Sequence, residues 1–146
     1  MNLFASIISF LVLFIPGGSE KLSDEATRVV QVIASRNMYE SSHVGFAGRP
    51  SEQYRQMKIL SAIASPEQLL ELASTHSNGV VRVYAWKALG LKTGQERKPL
   101  VDRIEAVAMQ LGQDSTEVFS LQGCIGGSTQ VRFLVDNKGL VSEQEN

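Results

Sequence analysis

The chain has 146 residues, of which 43% are hydrophobic and 20% are charged, and its formal net charge is −1. That length suits one domain with a core of its own. The near-neutral charge, with no basic stripe, excludes the usual classes of nucleic-acid-binding protein. The single cysteine, Cys124, excludes an internal disulfide framework.

Residues 1–19 open the chain with an almost entirely apolar run that ends in a Pro-Gly-Gly breaker. A helix over residues 3–15 would span about 20 Å, short of the roughly 30 Å hydrocarbon core of a membrane. This length is typical of a signal peptide cleaved after Ser19, although no Lys or Arg precedes the apolar run. An N-terminal core helix or an uncleaved anchor is the alternative interpretation.

If the signal peptide is cleaved, the mature chain is a single domain over residues 20–146. We then expect an exported bacterial protein, periplasmic or extracellular, with no membrane integration after cleavage.

Two helices are predicted in the first part of this domain. Ser23 can cap the first helix, which has one apolar face and a stop at Asn37. Either Ser51 or the Arg49-Pro50 pair can open the second helix. Between them, residues 39–50 have the composition of a loop, with two glycines and a proline. Phe46 in this loop either plugs the core or belongs to a binding loop.

The middle of the chain has the clearest helix signals. Ser65 can cap a helix, Pro66 suits its first position, and Gln68 can complete a capping box. A short polar turn follows, in which Ser77 or Asn78 can cap the next helix. The sequence therefore predicts a hairpin of two helices here.

Pro99 opens a further helix with a clean apolar face, and Gly112 is a natural stop. Beyond it the pattern weakens, and residues 114–121 suit either an extended segment or an irregular loop. A glycine-rich bend surrounds Cys124. Residues 129–137 would suit a strand or a helix, and we favour a helix because an isolated strand would have no partner for its hydrogen bonds.

The central hairpin resembles a HEAT-like (armadillo-type) helical repeat. The matching features are an L-x-x-L-A run over residues 69–73 and a V-R-x-x-A-x-x-A-L run over residues 81–89. In that family the arginine, here Arg82, commonly pairs with an aspartate in the turn. This sequence has Ser77 and Asn78 there instead, so a hydrogen bond at most replaces that pair.

A wider stretch, from residue 44 to residue 125, is similar to a group of small exported bacterial proteins with one HEAT-like unit. The helix starts at Pro66 and Pro99 lie 33 residues apart, which is a spacing typical of repeats. The resemblance implies an all-α fold of five or six helices, stacked as antiparallel hairpins in a right-handed armadillo/HEAT-like solenoid. It also implies a role in protein–protein binding.

Four residues are candidates for contact with a protein partner: Arg82, Tyr84, Trp86 and Phe46. Arginine and large aromatic residues dominate the energetics of protein interfaces. The alternatives are that Arg82 ties the preceding turn to its helix, and that Tyr84 and Trp86 pack beneath a neighbouring helix or loop.

No residue pattern predicts a catalytic, cofactor or metal site. Cys124 has only the distant His43 and His76 as possible bases, so a small buried thiol is the expectation. One cysteine and two dispersed histidines show no metal-ligand spacing. The glycine-rich segment 123–129 could hold an anion on its backbone amides, but it lacks the G-K-[ST] ending of a phosphate loop.

We therefore expect an exported, non-enzymatic protein–protein interaction module with an unidentified protein partner. Homodimer formation is possible because a stack with so few repeats needs a cap or a partner. The alternative functions are a periplasmic inhibitor or immunity-type protein that blocks an enzyme or toxin, and a hydrolase or transferase that uses Cys124.

Overall fold

The computed structural model describes residues 20–135. The predicted signal peptide, residues 1–19, lies outside the described residues, as do the last two residues of the helix predicted over 129–137. The helices are α1 (Asp24–Arg36), α2 (Glu52–Ile63), α3 (Pro66–Thr75), α4 (Gly79–Gly90), α5 (Gly94–Arg97), α6 (Val101–Leu111) and α7 (Val131–Leu134), with a 3₁₀ turn at Lys98–Leu100. The strands are β1 (Met38–Val44), β2 (Arg49–Pro50), β3 (Glu117–Gly123) and β4 (Ile125–Gln130).

The helix starts confirm the capping predictions. The side chains of Ser23, Ser51, Ser65 and Asn78 each accept a hydrogen bond from a backbone N–H in the first turn of their helix. The first helix ends at Asn37, whose φ of 47° places it in the left-handed region that often terminates helices. Capping is local chemistry, which is why the sequence pattern located these positions correctly.

The hydrophobic core is centred on α4, which contacts α1, α2 and α3. Ten of its twelve residues are buried, because its sequence is apolar on nearly every side. A helix that is apolar all round lies inside a protein. Its first residue comes so close to the sheet that a Cβ on Gly79 would lie 3.0 Å from Cγ1 of Val118.

The four strands form one mixed sheet in the order β2-β1-β3-β4. The central strands β1 and β3 run parallel, with Met38 opposite Phe119, whereas each outer strand is antiparallel to its neighbour. The strands β3 and β4 form a hairpin in which Val118 lies opposite Thr129. Gly123 begins its two-residue loop at a φ of 59°, as the first central position of a type II′ turn requires.

The prediction of an all-α armadillo/HEAT-like solenoid is wrong, and so is the resemblance on which it rested. The structure combines its helices with a four-stranded sheet and is therefore a mixed α/β protein. The helical hairpin of α3 and α4 exists as predicted, but helices and strands surround it where a solenoid would have further hairpins. A pair of packed helices is common to many folds, so its pattern was not specific for a repeat protein.

Two segments account for the error. Residues 39–50, predicted as a loop, contain most of β1 and all of β2. Residues 129–137, for which a helix was favoured, begin as the end of β4 and continue into the short α7. The helix was favoured because a strand there would lack a partner, but β3 supplies that partner and β1 pairs with β3 in turn.

Candidate protein-binding edge

Arg82 lies inside the structure and fastens α4 to two neighbouring connections. Its guanidinium donates hydrogen bonds to the carbonyl oxygens of His76 and Ser77, at 2.7 and 3.1 Å. It also donates to Oδ2 of Asp114 at 2.9 Å and to Oγ1 of Thr116 at 2.8 Å. These bonds occupy the guanidinium with internal acceptors, so Arg82 has a structural role in the fold.

The two aromatic candidates on α4 are also internal. Tyr84 is fully buried and Trp86 is 1% exposed. The ring of Tyr84 lies 5.3 Å from that of Tyr39 between centroids. Indole Nε1 of Trp86 has no hydrogen-bond acceptor among the described residues. Neither side chain is accessible to another protein in this structure.

Phe46 is the one predicted contact residue that the structure places at the surface. It is fully exposed in the turn between β1 and β2. This turn is hydrogen-bonded to the tip of the β3–β4 hairpin, because the N–H of Gly45 donates to the carbonyl of Gly123 at 2.9 Å. Phe46 therefore lies at the end of the sheet where the two hairpin tips meet.

The outer edge of β1 is closed along its first half by side chains from the helices. The carbonyl of Met38 accepts a hydrogen bond from Nε2 of Gln53 at 2.9 Å. The hydroxyl of Tyr84 accepts from the N–H of Glu40 at 2.7 Å and donates to the carbonyl of the same residue at 2.8 Å. The carbonyl of Ser42 accepts from the N–H of Ser51. These groups replace the missing strand on this side.

The opposite edge of the sheet, at β4, is open. The N–H of Val131 donates to the carbonyl of Thr116, so these two residues form a hydrogen-bonded pair at the end of the hairpin. Counting back along β4 from this pair shows which of its residues bond to β3. Bonding and non-bonding positions alternate in an antiparallel pair. The backbone groups of Gly126 and Ser128 and the N–H of Gln130 consequently point away from β3, and no other strand of the described residues pairs with them. The carbonyl of Gln130 instead accepts the first hydrogen bond of α7, for which Gln130 is the N-cap.

Exposed apolar side chains flank this open edge. On one face of the hairpin, Phe119 and Leu121 pack over Gly126, where an added Cβ would lie 3.3 Å from Cζ of Phe119. Phe119 is 50% exposed. On the other face, Ile125 is 76% exposed. We define the open β4 edge as strand β4 together with Phe119 and Leu121.

A shallow depression of roughly 340 Å³ runs along the same hairpin. Its lining consists of Ser120, Gln122, Ile125, Gly126, Gly127 and Ser128. None of these side chains ionises, so the depression has no general acid or base of its own. It can offer hydrogen bonds and apolar contact, which is the chemistry of binding.

The open β4 edge is not among the features predicted from the sequence. A usable signal was present, because residues 117–121 place Phe119 and Leu121 on alternate positions before a glycine-led two-residue loop. The second strand of this hairpin is not recognised, because its glycines predict a bend around Cys124 and the favoured helix begins at residue 129.

The buried carboxylate of Glu40 is kept ionised by the groups that surround it. Burial alone would raise its pKa, but hydrogen bonds from Ser51 and Arg36, with the further charge of Arg49, lower the pKa below its usual value. The hydroxyl of Ser51 donates to Oε2 of Glu40 at 2.7 Å. The hydrogen bonds and charges around it outweigh burial and stabilise the ionised form, so Glu40 anchors β1 to the start of α2 as a carboxylate.

Among the described residues, none of the residues considered for chemistry forms a hydrogen bond with another. Cys124 is exposed at the hairpin tip, which corrects the expectation of a buried thiol. Nδ1 of His76 accepts the N–H of Asn78 at 3.1 Å in the turn before α4, and burial lowers the pKa of its imidazole. His43 lies on β1, where its ring contacts the hydroxyl of Ser42. Across residues 20–135, no cluster of three or more His, Cys, Asp or Glu side chains could hold a metal ion.

No family model, curated protein or solved structure matches this chain. Within the described part of the chain, every helix is too short or too polar to cross a membrane.

Proposed function

We propose that this chain is a non-enzymatic protein-binding module that takes up an extended polypeptide segment along the open β4 edge. The observation that carries the proposal is the contrast between the two edges of the sheet. Side chains from α2 and α4 satisfy the edge of β1, whereas the outward-facing residues Gly126 and Ser128 of β4 present unpaired backbone donors and acceptors. Such an edge can accept a further strand through main-chain hydrogen bonds.

The side chains around the edge support the same function. A segment paired with β4 would place alternate side chains on the two faces of the sheet. One set would contact Phe119 and Leu121, and the other would contact Ile125 above the shallow depression. Phe46, at the adjoining hairpin tip, could extend the contact beyond the end of β4. Six residues of β4 correspond to a strand of about 20 Å.

Selection of displayed random peptides against the full chain tests this proposal. We expect enriched peptides of high β-propensity that bind with a Kd on the order of 10 µM. Ser128→Pro should weaken their binding at least about tenfold, because it removes an N–H that points toward the peptide. That N–H does not bond to β3, so the hairpin itself is retained.

Two further variants make the result specific. Phe119→Ala should also weaken binding, because it removes the largest side chain on one face of the edge. Met109→Ala is the matched control, since Met109 is a 70% exposed side chain on α6, outside the sheet. Peptides whose binding is unchanged by both Ser128→Pro and Phe119→Ala would show that the edge is not the binding surface.

Export remains a prediction from residues 1–19. Expression of the full chain in a bacterial host should yield a periplasmic or secreted protein that begins at Glu20. Intact-mass measurement of the isolated protein checks this, and an uncleaved mass in the cytosolic fraction would contradict it.

A further inference from the structure

We infer that the occupant of the open β4 edge is β4 of a second copy of this chain, paired antiparallel about a two-fold axis at Ser128. This inference rests on the proposed function and names the partner for the same surface. The dimer would join two four-stranded sheets into one continuous eight-stranded sheet.

The register follows from the outward-facing residues of β4. A two-fold axis at Ser128 pairs Ser128 with itself and pairs Gly126 with Gln130 of the second copy. Ser128 then exchanges two backbone hydrogen bonds with Ser128 of the second copy, and the N–H of each Gln130 donates to the carbonyl of Gly126 across the interface. An axis at Gly127 would form as many hydrogen bonds, by pairing Gly126 with Ser128 twice, but it would leave the N–H of Gln130 without an acceptor. The side chains decide between the two registers, and they favour the axis at Ser128.

The side chains of β4 are complementary to themselves in this register. Gly126, which has no side chain, faces Gln130, the longest side chain of the strand. Gly127 similarly faces Thr129 of the second copy. A Cβ placed on Gly127 would meet no atom within 4 Å, so there is open space for that threonine. Each large side chain thus meets a glycine, which permits close approach of the two strands.

The absence of charged residues from β4 also favours a second copy of the chain as the occupant. Strand β4, I-G-G-S-T-Q, has no charged residue, and the whole chain has a net charge of only −1. Natural edge strands are commonly protected by lysine, proline or inward-facing charges, and β4 has none of these. Two copies therefore approach without like charges opposed across the strands and with little overall repulsion.

Sedimentation equilibrium of the full-length protein tests the inference directly. We expect a monomer–dimer equilibrium between about 1 µM and about 1 mM, because a single strand pair is a small interface. Ser128→Pro should remain monomeric across that range with an unchanged circular dichroism spectrum. Met109→Ala should dimerise like the unmodified chain.

A charge-swap pair tests the two-fold axis itself. Ser128→Lys or Ser128→Glu places two like charges opposite each other in the dimer, so each variant alone should dimerise several-fold more weakly at low ionic strength. An equimolar mixture of the two should form a heterodimer about tenfold more tightly than either variant dimerises alone. Recovery on mixing also shows that both variants are folded.

Two results would overturn the inference. One is a monomer at every concentration, and the other is a dimer that Ser128→Pro and the charge-swap pair leave unchanged. Peptide selection distinguishes these outcomes from failure of the proposed function. If the chain is monomeric but peptides still bind the edge in a Ser128-dependent manner, the protein-binding function stands and the second copy is excluded as its partner.

Discussion

Arg82→Ala should lower the free energy of unfolding by about 3 kcal/mol, because it leaves a largely buried carboxylate without its cation. The guanidinium and the carboxylate of Asp114 are 11% and 15% exposed, and they form a salt bridge at 2.8 Å. The variant would also free the carbonyls of His76 and Ser77 and the hydroxyl of Thr116. Since these groups belong to the α3–α4 turn and to the α6–β3 connection, helix and sheet would lose their joint attachment.

Urea unfolding followed by circular dichroism measures this effect. The corresponding fall in Tm is roughly 10 °C for a domain of this size. Arg55→Ala is the matched control, because Arg55 and Glu52 form an ion pair whose side chains are 64% and 47% exposed. Its midpoint should not change measurably, since exposed pairs contribute little. Equal midpoints for the two variants would mean that the Arg82 contacts do not support the fold.

The contribution of the Arg82–Asp114 pair should depend on pH. Burial would raise the pKa of Asp114, but hydrogen bonds from Thr116 and Arg82, with the charge of Arg82, lower it below its usual value of 3.8. A carboxylate whose pKa is lowered by folding stabilises the folded state above its unfolded pKa and loses that effect as pH falls through its folded pKa. The difference in stability between the unmodified chain and Arg82→Ala should therefore shrink below about pH 4.

Tyr84→Phe should cost about 2 kcal/mol of stability, although it removes only one oxygen atom. That hydroxyl bonds to both the N–H and the carbonyl of Glu40, a fully buried residue on the edge of β1. Without it, both backbone groups lose their partner in the interior of the protein. Tyr84→Ala, which also removes a fully buried ring, should cost about 3–5 kcal/mol.

Amide hydrogen exchange separates the local effect from general destabilisation. The amide of Glu40 should exchange faster in Tyr84→Phe by a larger factor than neighbouring amides of β1. Tyr39→Phe is the matched control, because that ring lies against Tyr84 but its hydroxyl makes no hydrogen bond among the described residues. Equal protection of Glu40 in both variants would show that the Tyr84 hydroxyl does not cap the strand edge.

The helical half of the fold was predictable because its signals are local. Ser65 and Gln68, for example, form the capping box that their spacing predicts. The burial of Tyr84 and Trp86 was also within reach of the sequence. They are candidates for a partner surface because they lie off the stripe shared by Val81 and Leu89, and packing beneath a neighbouring helix or loop is the alternative. The structure has that alternative, since α4 is apolar on nearly all sides, which is typical of a central helix.

The sheet was not predictable by the same means. Strand β1 reads M-Y-E-S-S-H-V, and one of its two fully buried residues is Glu40. Buried carboxylates reverse the alternation of apolar and polar residues by which strands are recognised. The groups that make the burial of Glu40 tolerable, Arg36 and Ser51, lie on other elements, so the pattern within β1 does not contain the explanation.

The candidate site likewise combines a residue that the sequence identifies with a strand edge that it does not. Phe46 was a predicted contact residue, and its exposure follows from a short glycine-flanked turn. The open β4 edge depends on strand order instead, because β4 is an edge only where β3 already has β1 on its other side. Order within a sheet is set by tertiary contacts between distant segments, and the spacing of residues along β4 does not reveal it.

Because β1 pairs with β3, the chain cannot complete its sheet during synthesis until both strands have been made. Met38 and its neighbour Phe119 are about eighty residues apart, with most of the helices between them. At common translation rates, β3 is synthesised on the order of ten seconds after β1. During that interval Tyr84 and Gln53 can shield one side of β1, while its other side has no strand to join. The nascent chain is therefore exposed to mispairing at β1 until the ribosome has passed the β3–β4 hairpin.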